Sequence, residues 1–266
     1  MVTVDKLGLV WASISALCRD FTEAEWKTAT ECPGWSVQDQ ISHLIGTEGM
    51  LGGKRASGHA APEVDHVRNP IGKMNENHVD ERRSRAGADV LAEFDELVAE
   101  RLLQLRRYSA DDFAQPAQTP TGPGTVADFL HIRVMDNWVH EQDIRRAVGR
   151  SGHMSGPVAE HSIDRFTGGL PMVVGKRAAA PQGASVRFVL AGPVHRDVCV
   201  VVAERAGISV EPVAAPTATL RMGSGAYVVA TTGRQPGAGL VAAGRIVVSG
   251  DAALGHAVAS GMNIMI

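Results

Sequence analysis

The stretch VMDNWVHEQDIRRAVG, residues 134–149, sets the first question. Asp136 and His140 stand four residues apart, and Asp143 follows three positions later. In a helix, residues i and i+4 share a face, so Asp136 and His140 can address one ion together. Transition-metal cations accept imidazole nitrogen and carboxylate oxygen, and a catalytic site keeps a coordination position open. The spacing alone decides little. Among ten histidines, chance supplies about one with an acid four residues earlier. This chain has two such pairs, Asp39/His43 and Asp136/His140. The bland alternative is a helix whose polar face bonds within the fold or meets water.

Working outward, this helix is expected to begin near Thr125, where Thr125 and Asp128 form a Thr-x-x-Asp opening. It should run to Val148 and stop at Gly149, a residue suited to the left-handed position after a helix. Upstream, Leu7, Val10, Trp11, Ile14, Leu17 and Cys18 mark one amphipathic helix. Another should start at Ser36, with Asp39 completing a capping box before Ile41, Leu44 and Ile45. A third spans roughly 82–108, with Val90, Phe94, Leu97, Val98 and Leu102 on one side. Four long helices with two extended connections, 50–80 and 110–124, predict a helical bundle.

After Gly149-Arg150-Ser151-Gly152 the pattern changes. SVRFVLAG (185–192), DVCVVVA (197–203), ATLRM (218–222) and GRIVVSG (244–250) are short β-branched runs bounded by Gly, Pro or charge. Helical pieces near 157–168, 224–233 and 251–261 surround them. The fold class expected is therefore α+β in two domains, a helical domain over 1–152 and a small α+β domain over 153–266.

The chain has 266 residues, a formal net charge of -3 and three cysteines. That charge gives no electrostatic footprint for nucleic acid. No apolar run approaches the length of a membrane span, and the first twenty residues lack the pattern of a secretory signal. Cys18, Cys32 and Cys199 form no C-x-x-C pair, so a reducing cytoplasm is the expected compartment.

Two motifs carry a family resemblance. ECPGWSVQDQISHLIGTE (31–48) resembles the C-P-G-W-x-V-x-D-x-x-x-H-L signature of the mycothiol-dependent maleylpyruvate isomerase family. RVMDNWVHEQDIR (133–145) is similar to that family's second signature, R-x-x-[E/D]-x-W-V-H-x-x-D-[IL]-R. The resemblance implies a DinB-like four-helix bundle followed by a smaller α+β domain similar to sterol-carrier folds. It implies three metal ligands, at His43, Asp136 and His140, with Asp136 one methylene shorter than the glutamate of characterised members. Zinc is the first expectation for the metal, with nickel or iron behind it. Mycothiol, a low-molecular-weight thiol, would be the cosubstrate, and its thiolate would attack a small electrophilic substrate. Expulsion of the thiol from the adduct gives cis–trans isomerisation, whereas keeping it gives S-transfer. Two other classes stay open: a metal- or ligand-binding module without catalysis, and a metal-dependent hydrolase with water in the open position.

The segment AYVVATTGRQ (226–235) resembles the family's helix ending in L-x-G-R. The resemblance makes Arg234 the arginine that reaches toward the metal, where it could hold a substrate carboxylate. Arg221 on the preceding strand competes for that role, and an arginine bonding the carbonyls of a helix end is the plain alternative for Arg234. Asp39 and Asp143 are candidates for orienting the ligand imidazoles, although Asp39 serves equally well as a capping acid. Trp35 and Trp138 are expected to pack between helices, and Cys32 to be a buried turn residue. Of the histidines in the long connection, His59, His66 and His78, a surface position is the default reading.

Overall fold

A computed structural model describes residues 2–55 and 58–265. The chain divides into two units, Met1–His153 and Met154–Ile266.

In the first unit, α1 (Thr3–Cys18), α3 (Val37–Leu51), α5 (Gly87–Leu105) and α7 (Val126–Ala147) are the long helices. Contacts run α1 to α7, α7 to α3, α3 to α5 and α5 to α1, which closes a four-helix bundle. The capping signals act as read. Ser36 accepts from Asp39 N while the Asp39 side chain accepts from Ser36 N, and Thr125 with Asp128 repeats the arrangement at α7. Gly149 ends α7 with φ at +67°.

Both long connections carry regular structure, contrary to the expectation of extended loops. The first holds α4 (Pro70–Asp80), opened by Asn69 as N-cap and by Pro70 in the first turn. Only Glu76 and Val79 of α4 are buried, so no apolar stripe announced it. The second holds a short α6 (Ala110–Ala114) and a hairpin of β1 (Pro116–Thr119) and β2 (Gly122–Thr125). A one-turn α2 (Glu23–Trp26) precedes α3. The helix expected over 82–108 is trimmed at both ends to Gly87–Leu105.

In the second unit, α8 (Pro157–Gly168), α9 (Leu170–Met172) and a π turn (Val173–Arg177) lead into the strands β3 (Ser185–Ala191), β4 (Arg196–Val202), β5 (Ala206–Ile208), β6 (Ala218–Gly223) and β7 (Ile246–Gly250). These five form one sheet in the order β5-β4-β3-β6-β7, with β3 and β6 parallel and the other pairs antiparallel. Period-two alternation sets its faces: Val186, Phe188 and Leu190 are buried while Arg187 and Val189 are not. α10 (Ser224–Thr231), α11 (Gly237–Ala242) and α12 (Ala252–Ser260) pack on the β3, β6 and β7 side. The five-residue-or-shorter elements α9, β5 and the π turn, and the six-residue α11, were not legible as separate pieces.

Candidate metal centre

His43 sits on α3, and Asp136 and His140 sit on α7, where these two helices pack together. The structure brings all three sequence-derived candidates into one cluster, with one donor atom from each lying within 4.8 Å of the others. His43 Nε2 is 3.3 Å from Asp136 Oδ2, and His140 Nε2 is 3.6 Å from Asp136 Oδ1. The two imidazole centroids are 4.6 Å apart. Zinc bonds of about 2.0–2.2 Å set tetrahedral donors roughly 3.4 Å from one another. The donor types suit a small divalent cation, and each histidine stands near that spacing from one Asp136 oxygen, His43 from Oδ2 and His140 from Oδ1. Both histidines are almost fully enclosed, whereas Asp136 keeps 15% of its side chain exposed and so marks the accessible side.

The surroundings fix protonation. Burial pushes the His43 imidazole down to about 4, against the opposing pull of Asp136, so its lone pair is available at neutral pH. Burial alone would raise the Asp136 carboxyl, but Arg133, His140 and His43 together hold it well below the usual carboxylate range. His140 Nδ1 is bonded to Gln40 Oε1. An amide oxygen only accepts, so His140 Nδ1 is the donor to Gln40, and Nε2 is the ring nitrogen turned toward Asp136. His43 Nδ1 and, one turn on, Thr47 Oγ1 are buried without a partner among the described residues.

Sequence reasoning missed the residue that orients His140. Gln40 does it, while Asp143 Oδ2 stays 3.8 Å from His140 Nδ1 and its other oxygen bonds Arg146. Asp39 is the capping acid and lies 3.4 Å from Arg83 Nε, while among the described residues the His43 ring nitrogens take Asp136 and no other partner. No periodic signal could have found Gln40, because α3 buries polar side chains on all sides: Gln38, Gln40, Ser42, Thr47 and Glu48 are buried along with Ile41 and Leu44.

Trp35 forms a wall of the site, its ring centroid 5.3 Å from that of His43 and 6.0 Å from that of His140. Trp35 Nε1 donates to buried Glu76 Oε2 at 3.0 Å, and His66 Nε2 meets the same oxygen at 3.0 Å. His66 also lies against Gly34, where φ is +76° and a Cβ would come within 2.4 Å of the imidazole. Only glycine serves at that turn. Of the three loop histidines, His66 thus reaches the wall of the site, His59 pairs with Asp80, and His78 packs on Gly46. Trp138 is fully buried and donates to His153 O. Cys32 occupies a turn as expected, but half-buried.

The sequence profile of the mycothiol maleylpyruvate isomerase N-terminal domain matches residues 7–145, a span that holds all three clustered residues. The chain belongs to that family. No curated protein matches it. Two solved structures of the mycothiol-dependent maleylpyruvate isomerase, one a histidine-to-alanine mutant, share its fold at 14% identity, with TM-scores of 0.57 and 0.56. Each alignment covers 93% of this chain and 91% of the other. The likeness to this isomerase thus extends across both units, whereas the family match ends at residue 145.

In the second unit, Arg234 follows α10 and is half-buried, with Nη1 at 3.5 Å from Thr232 O. Arg221 is exposed on β6. A cleft of about 450 Å³ between β3, β4 and the segment after β5 is lined by Arg187, Asp197, Cys199, Ser209 and Glu211. Arg187 and Asp197 answer each other there, with two hydrogen bonds of 2.8 and 2.5 Å. Among the described residues no helix is long and apolar enough to cross a membrane.

Proposed function

We propose that this protein is a divalent-metal-dependent enzyme that uses mycothiol as cosubstrate and acts on a small electrophilic substrate. The observation that carries this reading is the convergence of His43, Asp136 and His140 within the part of the chain that matches the family. These three residues would hold the ion, zinc first and nickel or iron behind. A bound divalent cation favours thiolate over thiol in a coordinated sulfhydryl, and so supplies a nucleophile near neutral pH.

The remaining work falls to the chain's own groups. His43 offers a lone pair because burial keeps it unprotonated, and Gln40 holds His140 in the matching tautomer. Trp35, tied down by Glu76, shields the two imidazoles from water on one side. The exposed edge of Asp136 leaves a path by which a thiol can reach the cluster. Arg234 is assigned the substrate's carboxylate, because a guanidinium holds a carboxylate with two parallel bonds and stabilises charge developing next to it. Whether the adduct expels the thiol, giving isomerisation, or keeps it, giving S-transfer, depends on the substrate.

Incubation of the zinc-loaded protein with mycothiol and maleylpyruvate tests this reading. Mass spectrometry and absorbance should show thiol-dependent turnover or a thiol adduct. Arg234→Lys keeps the charge but loses the planar fork, so turnover should fall at least about tenfold with metal content unchanged. Turnover without mycothiol would favour a hydrolase, and unaltered activity in Arg234→Lys would remove Arg234 from the site.

A further inference from the structure

Behind Asp136 lies a chain of buried charge that supplies no ligand. Arg133 Nη1 donates to Asp136 Oδ2 at 2.5 Å, and Arg133 Nε donates to Glu48 Oε1 at 2.7 Å. Asn137 Nδ2 reaches the same Glu48 oxygen at 3.3 Å, and Trp11 Nε1 fixes Asn137 Oδ1 at 2.9 Å. The other Glu48 oxygen faces Arg101 Nε at 3.8 Å, too far for a hydrogen bond, and among the described residues neither atom has a bonding partner. Glu48 is wholly buried, and Arg101 and Arg133 are 4% and 3% exposed. Three helices, α3, α5 and α7, meet at this one carboxylate, and α1 adds Trp11 behind Asn137.

We propose that Glu48 is a positioning residue for the metal centre, acting through Arg133 to set the aim and the charge of the Asp136 carboxylate. This rests on the metal reading of His43, Asp136 and His140. Two arginines and two carboxylates cancel, so the cluster meets a cation with no net charge beyond it. Without Glu48 the same cluster carries an excess positive charge in a medium that screens poorly, and a divalent cation is repelled. Arg133, relieved of its anchor, would also be free to turn away from Asp136 Oδ2. Charge and packing make opposite demands on Arg101. If Glu48 acts by charge, removing Arg101 leaves the cluster more negative and tightens cation binding; if these residues only fill space, removing either one loosens the site.

Zinc affinity of the metal-free full-length protein, measured at one pH by competition with a chromophoric chelator, separates the two. Glu48→Gln should weaken zinc binding at least about tenfold, and Arg101→Met should tighten it about threefold or more. The double variant should return to within about threefold of the unaltered protein. Circular dichroism checks folding, and if Glu48→Gln does not fold, the sign of the Arg101→Met change decides. Unchanged or weaker zinc binding in Arg101→Met overturns the proposal, as does unchanged binding in a folded Glu48→Gln. Failure of the unaltered protein to bind zinc would instead sink the metal reading itself, and this role with it.

Discussion

The two units bury different chemistry. Among the described residues, every buried Asp, Glu, His or Arg lies in the helical unit: Asp39, His43, Glu48, Glu76, Arg101, Arg133, His140, Glu141 and Asp143. The buried polar side chains of the second unit are all hydroxyls, such as Ser162, Thr167, Thr231 and Thr232, which donate to carbonyls three or four residues back in or beside their own helices. A hydroxyl satisfied in that way costs the fold little, whereas each buried ionisable group must be matched by a partner. The helical unit carries that burden around α3 and α7, where the candidate ligands sit. The sheet unit stands on its apolar layer of Val186, Phe188, Leu190, Leu220 and Tyr227.

The sharpest way to break this contrast is to damage the apolar core of the second unit. Phe188→Ala removes a buried ring from β3 and should cost about 3–5 kcal/mol in denaturant unfolding. Folded protein of that variant should still hold stoichiometric metal, and loss of the metal would show that the division of labour is false.

A pH titration of the metal-free protein comes next in size. His43 titrates near 6.5 when unfolded and is held down to about 4 in the fold, so the unfolded chain binds the extra proton between those values. Its stabilising contribution is complete above pH 6.5 and is lost as pH falls through 4, about 3 kcal/mol in all. Asp136, also depressed, adds loss at lower pH with the same sign. Chemical denaturation at a series of pH values should show this slope, and His43→Gln should flatten it. An equal slope in the variant would remove the effect from His43.

The smallest effect is expected in the second unit. Thr232→Val deletes a hydroxyl that donates to Val228 O at 2.8 Å, a group already bonded along the helix. Thermal unfolding should register a change below about 1 kcal/mol. A larger loss would mean that the hydroxyls of this unit bear more of its stability than their local bonding implies.

Legibility in the sequence follows the same division. Elements with an apolar period behind their start were readable: Thr125 and Asp128 located the start of α7, and β-branched runs located β3, β4, β6 and β7. The capping boxes of the short α2 and α6 had too few residues behind them to be read. α4 was not readable either, because Asn69 and Pro70 open it without an apolar stripe behind them. At the site, the Asp136/His140 spacing was visible on one helix, but His43 comes from another helix and rested on family resemblance. The local pair Asp39/His43 pointed to the wrong partner, since the capping box turns Asp39 back on Ser36. Gln40 and Glu48 left no trace, because hydropathy periodicity has nothing to say about a helix enclosed on all sides.

Metal content of purified His140→Ala, beside the unaltered protein and after reloading both with zinc, addresses the metal centre most directly. His140 contributes one of the three donors within 4.8 Å, and its loss leaves His43 and Asp136 with too few ligands for a closed-up site. The unaltered protein should carry about one equivalent of divalent metal, while folded His140→Ala retains less than about a tenth of that. Full metal occupancy in folded His140→Ala would contradict the assignment of this cluster as the metal centre.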